Sequence, residues 1–340
     1  MPDPNVGVTI AASWNALVND TPEDNIFIDN WFLNRLKNGD GFVSTDGGDI
    51  ITASLEYAVN GTVTSYSDTE TISTTRQDVF DRAQYNWKEY AGTVVQSELE
   101  NAINQGGAKK FDLLKAKLAN LKKSFDRQFD IDLHGDGTAN SSKVLGGLQA
   151  LVLTSPATGT TGGINRATFS FWRNQQASGA KTTSAFDNLR ASLRSVYNLS
   201  SNGVAGDHPK FVEMDRASFE GLEGLLLANE RFTSKAEADG GFKNEVLKFK
   251  GAMCAYGPNV AAGYAYLLNP AYVKLQYLKG HWYKAGETVE PANQTVKVFK
   301  VHTICNLIGT NLRMVGVVNG ITGWLLAVGA AVAAVGHLLA

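Results

Sequence analysis

The sequence predicts an α+β fold, on three observations. Helical periodicity is confined to separate stretches, the clearest being Phe111, Leu114, Leu118, Leu121 and Phe125, spaced three and four apart on one stripe. Strict alternation occurs elsewhere, in Ile51, Ala53, Leu55, Tyr57 and Val59. Residues 246–320 are rich in Val, Tyr, Leu and Ala and are punctuated by Gly257-Pro258, Asn269-Pro270 and Glu290-Pro291, the pattern of a strand-rich closing region. Helices and strands thus occupy different parts of the chain rather than alternating as βαβ units. No repeat of about 20 to 50 residues is evident, which excludes a solenoid.

Taken in order, the first helix signal is Thr21-Pro22 with Asp24, a cap followed by proline at the first helical position, and it predicts a helix from about Pro22 to Leu36. Its apolar residues Ile26, Phe27, Ile28, Trp31, Phe32, Leu33 and Leu36 cover most of the circumference, so it is expected to pack on several surfaces. The alternating run from Ile51, followed by turn signals at Asn60-Gly61 and Ser67-Asp68, predicts a long hairpin or extended loop. No Lys or Arg occurs between Gly41 and Thr75. An isolated two-stranded arm is marginal in water, so this one needs a neighbouring surface. Ala83 to Trp87 alternates like a strand, and Ser97 to Asn104 reads as a short helix stopped by Gly106-Gly107. The long periodic helix follows, with Lys109, Lys110, Lys115, Lys117, Lys122, Lys123 and Arg127 outnumbering Asp112 and Asp126. It ends near Asp132, before His134-Gly-Asp-Gly. Further helices are predicted around Ala185 to Val196 and Phe219 to Ala228.

Composition narrows the function. The 31 Lys and Arg nearly cancel 33 Asp and Glu for a net charge of −2, which excludes a broadly basic nucleic-acid binder and a polyacidic tail protein. With 44% hydrophobic residues the 340-residue chain is expected to fold, into about two domains. Cys254 and Cys305 form no CxxC and read as core residues in a reducing compartment. The first thirty residues lack a basic and then apolar leader, so synthesis is expected to end in the cytosol.

The motif search assigns no catalytic residue, cofactor or metal. Asp130-x-Asp132-x-His134-Gly135-Asp136 approaches a calcium loop, but position five is His134 and position twelve is Ser141 where a bidentate Glu belongs, so a helix-stopping turn is favoured. The five histidines show no HExxH spacing, and no GxSxG, phosphate-loop or dinucleotide signature is present. Asp207-His208 reads as a surface loop rather than a catalytic pair. The basic helix reads either as a solvated face or as a phosphate-attracting one, without the aromatics that base recognition needs. Residues 324–340 are apolar except for His337 and are rich in Ala and Gly. They read as a helix buried against the body or a neighbouring subunit, with a tail anchor as the other reading.

The ordered series Ala83-Gln-Tyr-Asn-Trp-Lys, Glu98-x-x-Asn101, Gly106-Gly107, Phe111-Asp-Leu-Leu-Lys115-Ala-Lys117 and His134-Gly-Asp-Gly-Thr138 resembles tailed-bacteriophage major capsid proteins of the HK97 fold. The resemblance continues through Gly146-Gly-Leu148, Gly162-Gly-Ile-Asn-Arg166, Phe171-Trp-Arg-Asn174, Phe249-Lys-Gly251, Gly263-Tyr-x-Tyr-Leu-Leu-Asn269 and Asn306-Leu-Ile-Gly-Thr-Asn-Leu-Arg313. It spans about residues 25 to 322. Each motif is short, and their collinear order carries the likeness.

The resemblance implies an N-terminal arm at 1–45, an E-loop hairpin at 46–76 and a peripheral domain at 77–145 with a spine helix at about 108–131. It further implies an axial domain at 146–270, strands returning to the peripheral domain at 271–322, and an apolar segment at 323–340 outside the family pattern. It implies a non-enzymatic subunit that self-assembles into hexamers and pentamers of an icosahedral head around double-stranded DNA, in the host bacterial cytoplasm and then the virion. Ile51, Leu55, Tyr57, Val59 and Tyr66 are expected to meet the adjacent subunit. The seven cations of the spine helix are expected to accommodate the genome electrostatically, some forming intersubunit salt bridges instead. Some family members cross-link an E-loop Lys to Asn; the absence of Lys here speaks against that bond. The short N-terminal arm implies a separate scaffolding protein, with portal and decoration proteins as further partners. An encapsulin-like cargo shell shares the fold and is the alternative, with a tail-anchored membrane protein a third reading.

Overall fold

Trp31, Phe32, Leu33 and Leu36 are buried on several sides of one short helix, α1 (Trp31–Asn38), which wedges between the long helix and a sheet. Trp31 meets Phe211 edge-on at 5.4 Å, and Phe32 lies 5.8 Å from the His134 ring. The computed structural model describes residues 30–103, 113–179, 185–203, 206–227, 247–286 and 288–321. The expected helix from Pro22 is corrected at its junction. Asn30 sits at φ −96°, ψ 53°, outside helical geometry, and its side-chain amide donates to the Asp126 carbonyl at 2.9 Å instead of capping. Helix α1 therefore starts at Trp31, and residues 22–29 lie outside the described residues.

Strand β1 (Phe42–Thr45) leads to β2 (Ile50–Glu56), which pairs antiparallel with β3 (Phe80–Asn86). The alternation holds from Ile51 to Leu55, where Ile51, Ala53 and Leu55 face inward, opposite Tyr85, Ala83 and Asp81; it stops there, since Tyr57 is half-buried beyond the strand and Val59 is exposed. The hairpin is longer than 46–76, because its second strand is the Ala83–Trp87 stretch expected to stand apart. Both expected turns form, but within residues 57–79 rather than at the hairpin's closure, as Thr62 N–H donates to Asn60 Oδ1 and Glu70 N–H to the Ser67 carbonyl.

Next come β4 (Lys88–Ser97), α2 (Glu98–Ile103) and α3 (Leu113–His134). The stripe of α3 runs through half-buried Leu118 and Leu121 to buried Phe125, Phe129 and Leu133. Helix α3 presses close on β4: a Cβ at Gly92 would stand 2.7 Å from Leu121 and 2.8 Å from Phe125, so a larger residue there would push these two side chains aside. The helix continues past the expected end near Asp132 to His134, and the predicted Gly-Asp-Gly turn then stops it.

After two short pairing segments, β5 (Thr160–Thr161) and β6 (Ile164–Asn165), the chain forms β7 (Gln175–Ser178), α4 (Ala185–Leu199), β8 (Phe211–Met214) and α5 (Arg216–Leu227). It closes with β9 (Lys248–Phe249), β10 (Ala252–Tyr256), β11 (Ala265–Leu268), β12 (Val273–Leu278), β13 (Lys284–Ala285), β14 (Val296–Gly309) and β15 (Gly316–Asn319). One sheet runs β1-β12-β14-β13, with β4 also pairing along β14; the other runs β7-β15-β11-β8-β10-β9.

The six-stranded sheet divides two cores. Phe211, Tyr266, Leu268 and Val317 point to the side of α1, α3 and the hairpin, while Val212, Met214, Ala265, Leu267 and Val318 point to Leu189, Leu193, Val196 and Leu222. With both faces covered, its central strands are buried throughout, as in β8 and β11. Residues 271–322 were expected to return together, yet β15 leaves the five-stranded sheet and inserts between β7 and β11. Val317 and Val318, apolar on consecutive positions, need cover on both faces, which only an interior strand supplies.

Candidate functional site

The hairpin has a fixed root and an uncovered tip. At the root, the Tyr85 hydroxyl donates to the Gly309 carbonyl at 3.1 Å, Gln84 N–H donates to the Gly162 carbonyl at 2.8 Å, and Tyr57 stacks on Phe171 at 5.1 Å. Gly162, at φ +60°, has Ala83 and Tyr85 within 2.9 Å of where a Cβ would lie, so the root seats against bare backbone. Beyond it, Val59 is 89%, Val63 82% and Ile72 63% exposed, and Tyr66 is also exposed. Of the five residues assigned to an intersubunit surface, Ile51 and Leu55 are therefore in this chain's own core, Tyr57 is half-buried at the root, and Val59 and Tyr66 stand open at the tip. The alternation identified the buried set; it could not distinguish burial on the chain's own body from burial on another.

The basic stripe is divided too. Lys109 and Lys110, and the side chain of Lys115, lie outside the described residues. Lys117 turns back onto its own chain, its Nζ 2.7 Å from Glu100 Oε2 and donating to the Val95 carbonyl at 3.2 Å. Lys123 is half-buried and partnered. Lys122 and Arg127 are exposed. Lys37 of α1 adds an unpredicted cation beside them: burial first, and Lys122 as well, hold its ammonium below the usual lysine range, against the pull of Asp126.

The residues of the calcium-like loop serve the interior. Asp132 accepts from Tyr90 Oη at 2.8 Å and from Gln128 Nε2 at 3.0 Å, whereas Asp130 accepts from Asn259, so the two carboxylates are drawn to different partners. His134 Nδ1 lies 2.7 Å from the Asp130 carbonyl and Nε2 lies 3.1 Å from Glu213 Oε1. Burial would lower the pKa of this imidazole, but Glu213 and then Asp130 outweigh it and hold it at about 9.

Elsewhere, Arg166 is fully buried and donates to Thr161 Oγ1 at 3.1 Å, Asn174 Oδ1 at 2.6 Å and the Leu151 carbonyl, knotting residues 151–174 beneath the hairpin root. Burial lowers its pKa to about 10. Asp207 turns from His208 to Tyr272, whose hydroxyl donates to it at 2.6 Å; that bond and then burial raise the phenol to about 12. Cys254 and Cys305 are both buried and free. Among the described residues no helix is long and apolar enough to cross a membrane, and the apolar residues 324–340 lie outside them.

No protein-family profile matches the chain. No curated protein matches it either. Solved structures do. A chain of the cyanophage A-1(L) capsid asymmetric unit superposes at TM-score 0.65 with 16% identity, covering 89% of this chain and 96% of that one. The holo-SrpI encapsulin of Synechococcus elongatus gives 0.59 with 12% identity, over 93% and 96%. The capsid protein of a native GTA particle gives 0.57 with 11% identity, over 92% and 98%. Across nearly its whole described length, the chain has the HK97-like fold common to phage capsid and encapsulin subunits.

Proposed function

We propose that this chain is the major capsid protein of a tailed bacteriophage, self-assembling through hexamers and pentamers into an icosahedral head around double-stranded DNA. The observation that carries the reading is the hairpin: a root locked to its own body holds out a tip whose Val59, Val63, Tyr66 and Ile72 have no cover. A tip of this kind is completed by lying on the next copy. Repetition of one such contact under closed symmetry builds a shell, with slightly different versions of it in hexamers and pentamers. Lys122, Arg127 and Lys37 supply non-specific attraction for packaged DNA. The hairpin of β2 and β3, with its tip, acts as the E-loop, α3 as the spine helix, the five-stranded sheet as the core of the peripheral domain and the six-stranded sheet as that of the axial domain. A separate scaffolding protein, a portal and decoration proteins are the expected partners, with assembly in the host cytoplasm and residence in the virion.

The encapsulin likeness supports a second reading, a shell loaded with protein cargo. Electron microscopy of the expressed chain, with and without co-expressed scaffold, tests the shell itself. A chain that forms no particles under either condition is not a shell subunit. Nuclease-protected DNA inside the particles decides for the phage head, and co-purified protein cargo decides for the compartment.

A further inference from the structure

His281 and His302 are far apart in sequence and face each other in the fold, with His281 Nδ1 3.0 Å from His302 Nε2 and ring centroids 5.2 Å apart. His302 lies within β14, paired on one side with Ala91 of β4 and on the other with Lys284 of β13. His281 sits in the turn after β12, anchored by its N–H to the Leu278 carbonyl at 2.9 Å and by its carbonyl, which accepts from Ile304 N–H at 3.1 Å. Both backbones are thus held by hydrogen bonds, His302 within the sheet and His281 in the turn, before any ligand arrives. Gly92 and Tyr90 face α3, so Ala91 and His302 project from the opposite face, where both imidazoles are only half-buried and solvent has access.

We propose that His281 and His302 form a two-imidazole binding site for a borderline divalent transition-metal ion of the Zn2+, Ni2+ or Cu2+ class. Two nitrogens bound at about 2.0–2.1 Å and at right angles to each other stand about 2.9 Å apart, close to the observed separation. In the free pair one facing nitrogen carries a proton and the other a lone pair. Moving that proton to the far nitrogen of the same ring, a tautomer change that neither adds nor loses a proton, turns both lone pairs to the ion. Among the described residues no third His, Cys, Asp or Glu joins the pair, so water completes the shell. Lys284 opposes binding, but its side chain is exposed and free to swing away. Imidazole donors exclude hard cations such as Mg2+ and Ca2+. The site stands independently of the shell reading.

Isothermal titration of the full chain with NiCl2 and with ZnCl2, against MgCl2 as control, tests it. One Ni2+ or Zn2+ is expected per chain, weakened by about tenfold or more in His281→Ala and in His302→Ala, since removing even a supporting residue of a metal ligand costs that much. His208→Ala is expected to leave it unchanged. His281 lies in a turn, so its variant decides the outcome if the β14 variant misfolds. No saturable binding by the wild-type chain, or binding that His281→Ala leaves intact, overturns the site.

Discussion

His134, in the last turn of α3, holds its Nε2 3.1 Å from Oε1 of Glu213 on β8, with both side chains 1% exposed, so one buried ion pair fastens the long helix to the six-stranded sheet. A cation at a helix C-terminus also complements the helix dipole. Because the pair is out of water, removing one partner strands the other's charge.

Glu213→Gln is expected to cost about 3–5 kcal/mol at pH 6. The folded imidazole titrates at about 9 against an ordinary 6.5, so the stability it contributes is full below about 6.5 and is lost as pH rises through 9. Urea melts at successive pH values should therefore show the gap between wild type and variant narrowing from pH 6.5 to 9. A gap that stays constant over that range would remove the ion pair as its source.

The hairpin root and tip should respond oppositely. Ile51→Ala empties a site that is 1% exposed and should cost about 2–5 kcal/mol. Replacing residues 58–78 by Asn-Gly closes the ladder in its existing register, since Tyr57 N–H already bonds the Val79 carbonyl. That variant is expected to keep a folded monomer, with melting nearly unchanged, and to form no particles in the microscope. Normal shells from it would refute the role given to the tip.

Arg166→Met should leave the Leu151 carbonyl short of its donor and loosen Asn174, at about 1–3 kcal/mol for each buried group left unpaired. Chemical denaturation measures the total. Hydrogen exchange should also rise at the amide of Gln84, whose acceptor Gly162 lies in the segment that Arg166 ties down.

Charge reversal of Lys122 and Arg127 together should leave the melting temperature nearly unchanged, because both are exposed. Binding to double-stranded DNA should weaken, and the slope of log affinity against log salt should shrink by about 0.9 for each cation removed. Lys117→Ala should instead cost about 0–1 kcal/mol of stability through the lost Glu100 pair. If the slope does not change, DNA lies elsewhere.

Much of the framework was legible because it follows local periodicity. Leu118, Leu121 and Phe125 mark the packed stripe of α3, and Ile51, Ala53 and Leu55 mark the inward face of β2. The partner of β2 was hidden, because Asn60-Gly61 and Ser67-Asp68 are genuine turns that lie inside the loop and do not close the hairpin. Lys117 was placed on the correct helix, but its partner Glu100 belongs to another element. His281 and His302 carried no signal, since what brings them together is how the turn after β12 folds back on β14.

The sequence by itself determined the α+β class, the packed stripe of α3 and the inward face of β2, because one element's periodicity is written in consecutive residues. The tertiary structure alone decided that β3 closes the hairpin, that β15 crosses into the six-stranded sheet, and that His134 meets Glu213. These are contacts between distant segments, chosen by which arrangement buries the most apolar surface while giving each buried charge a partner, and no local window of residues contains that comparison.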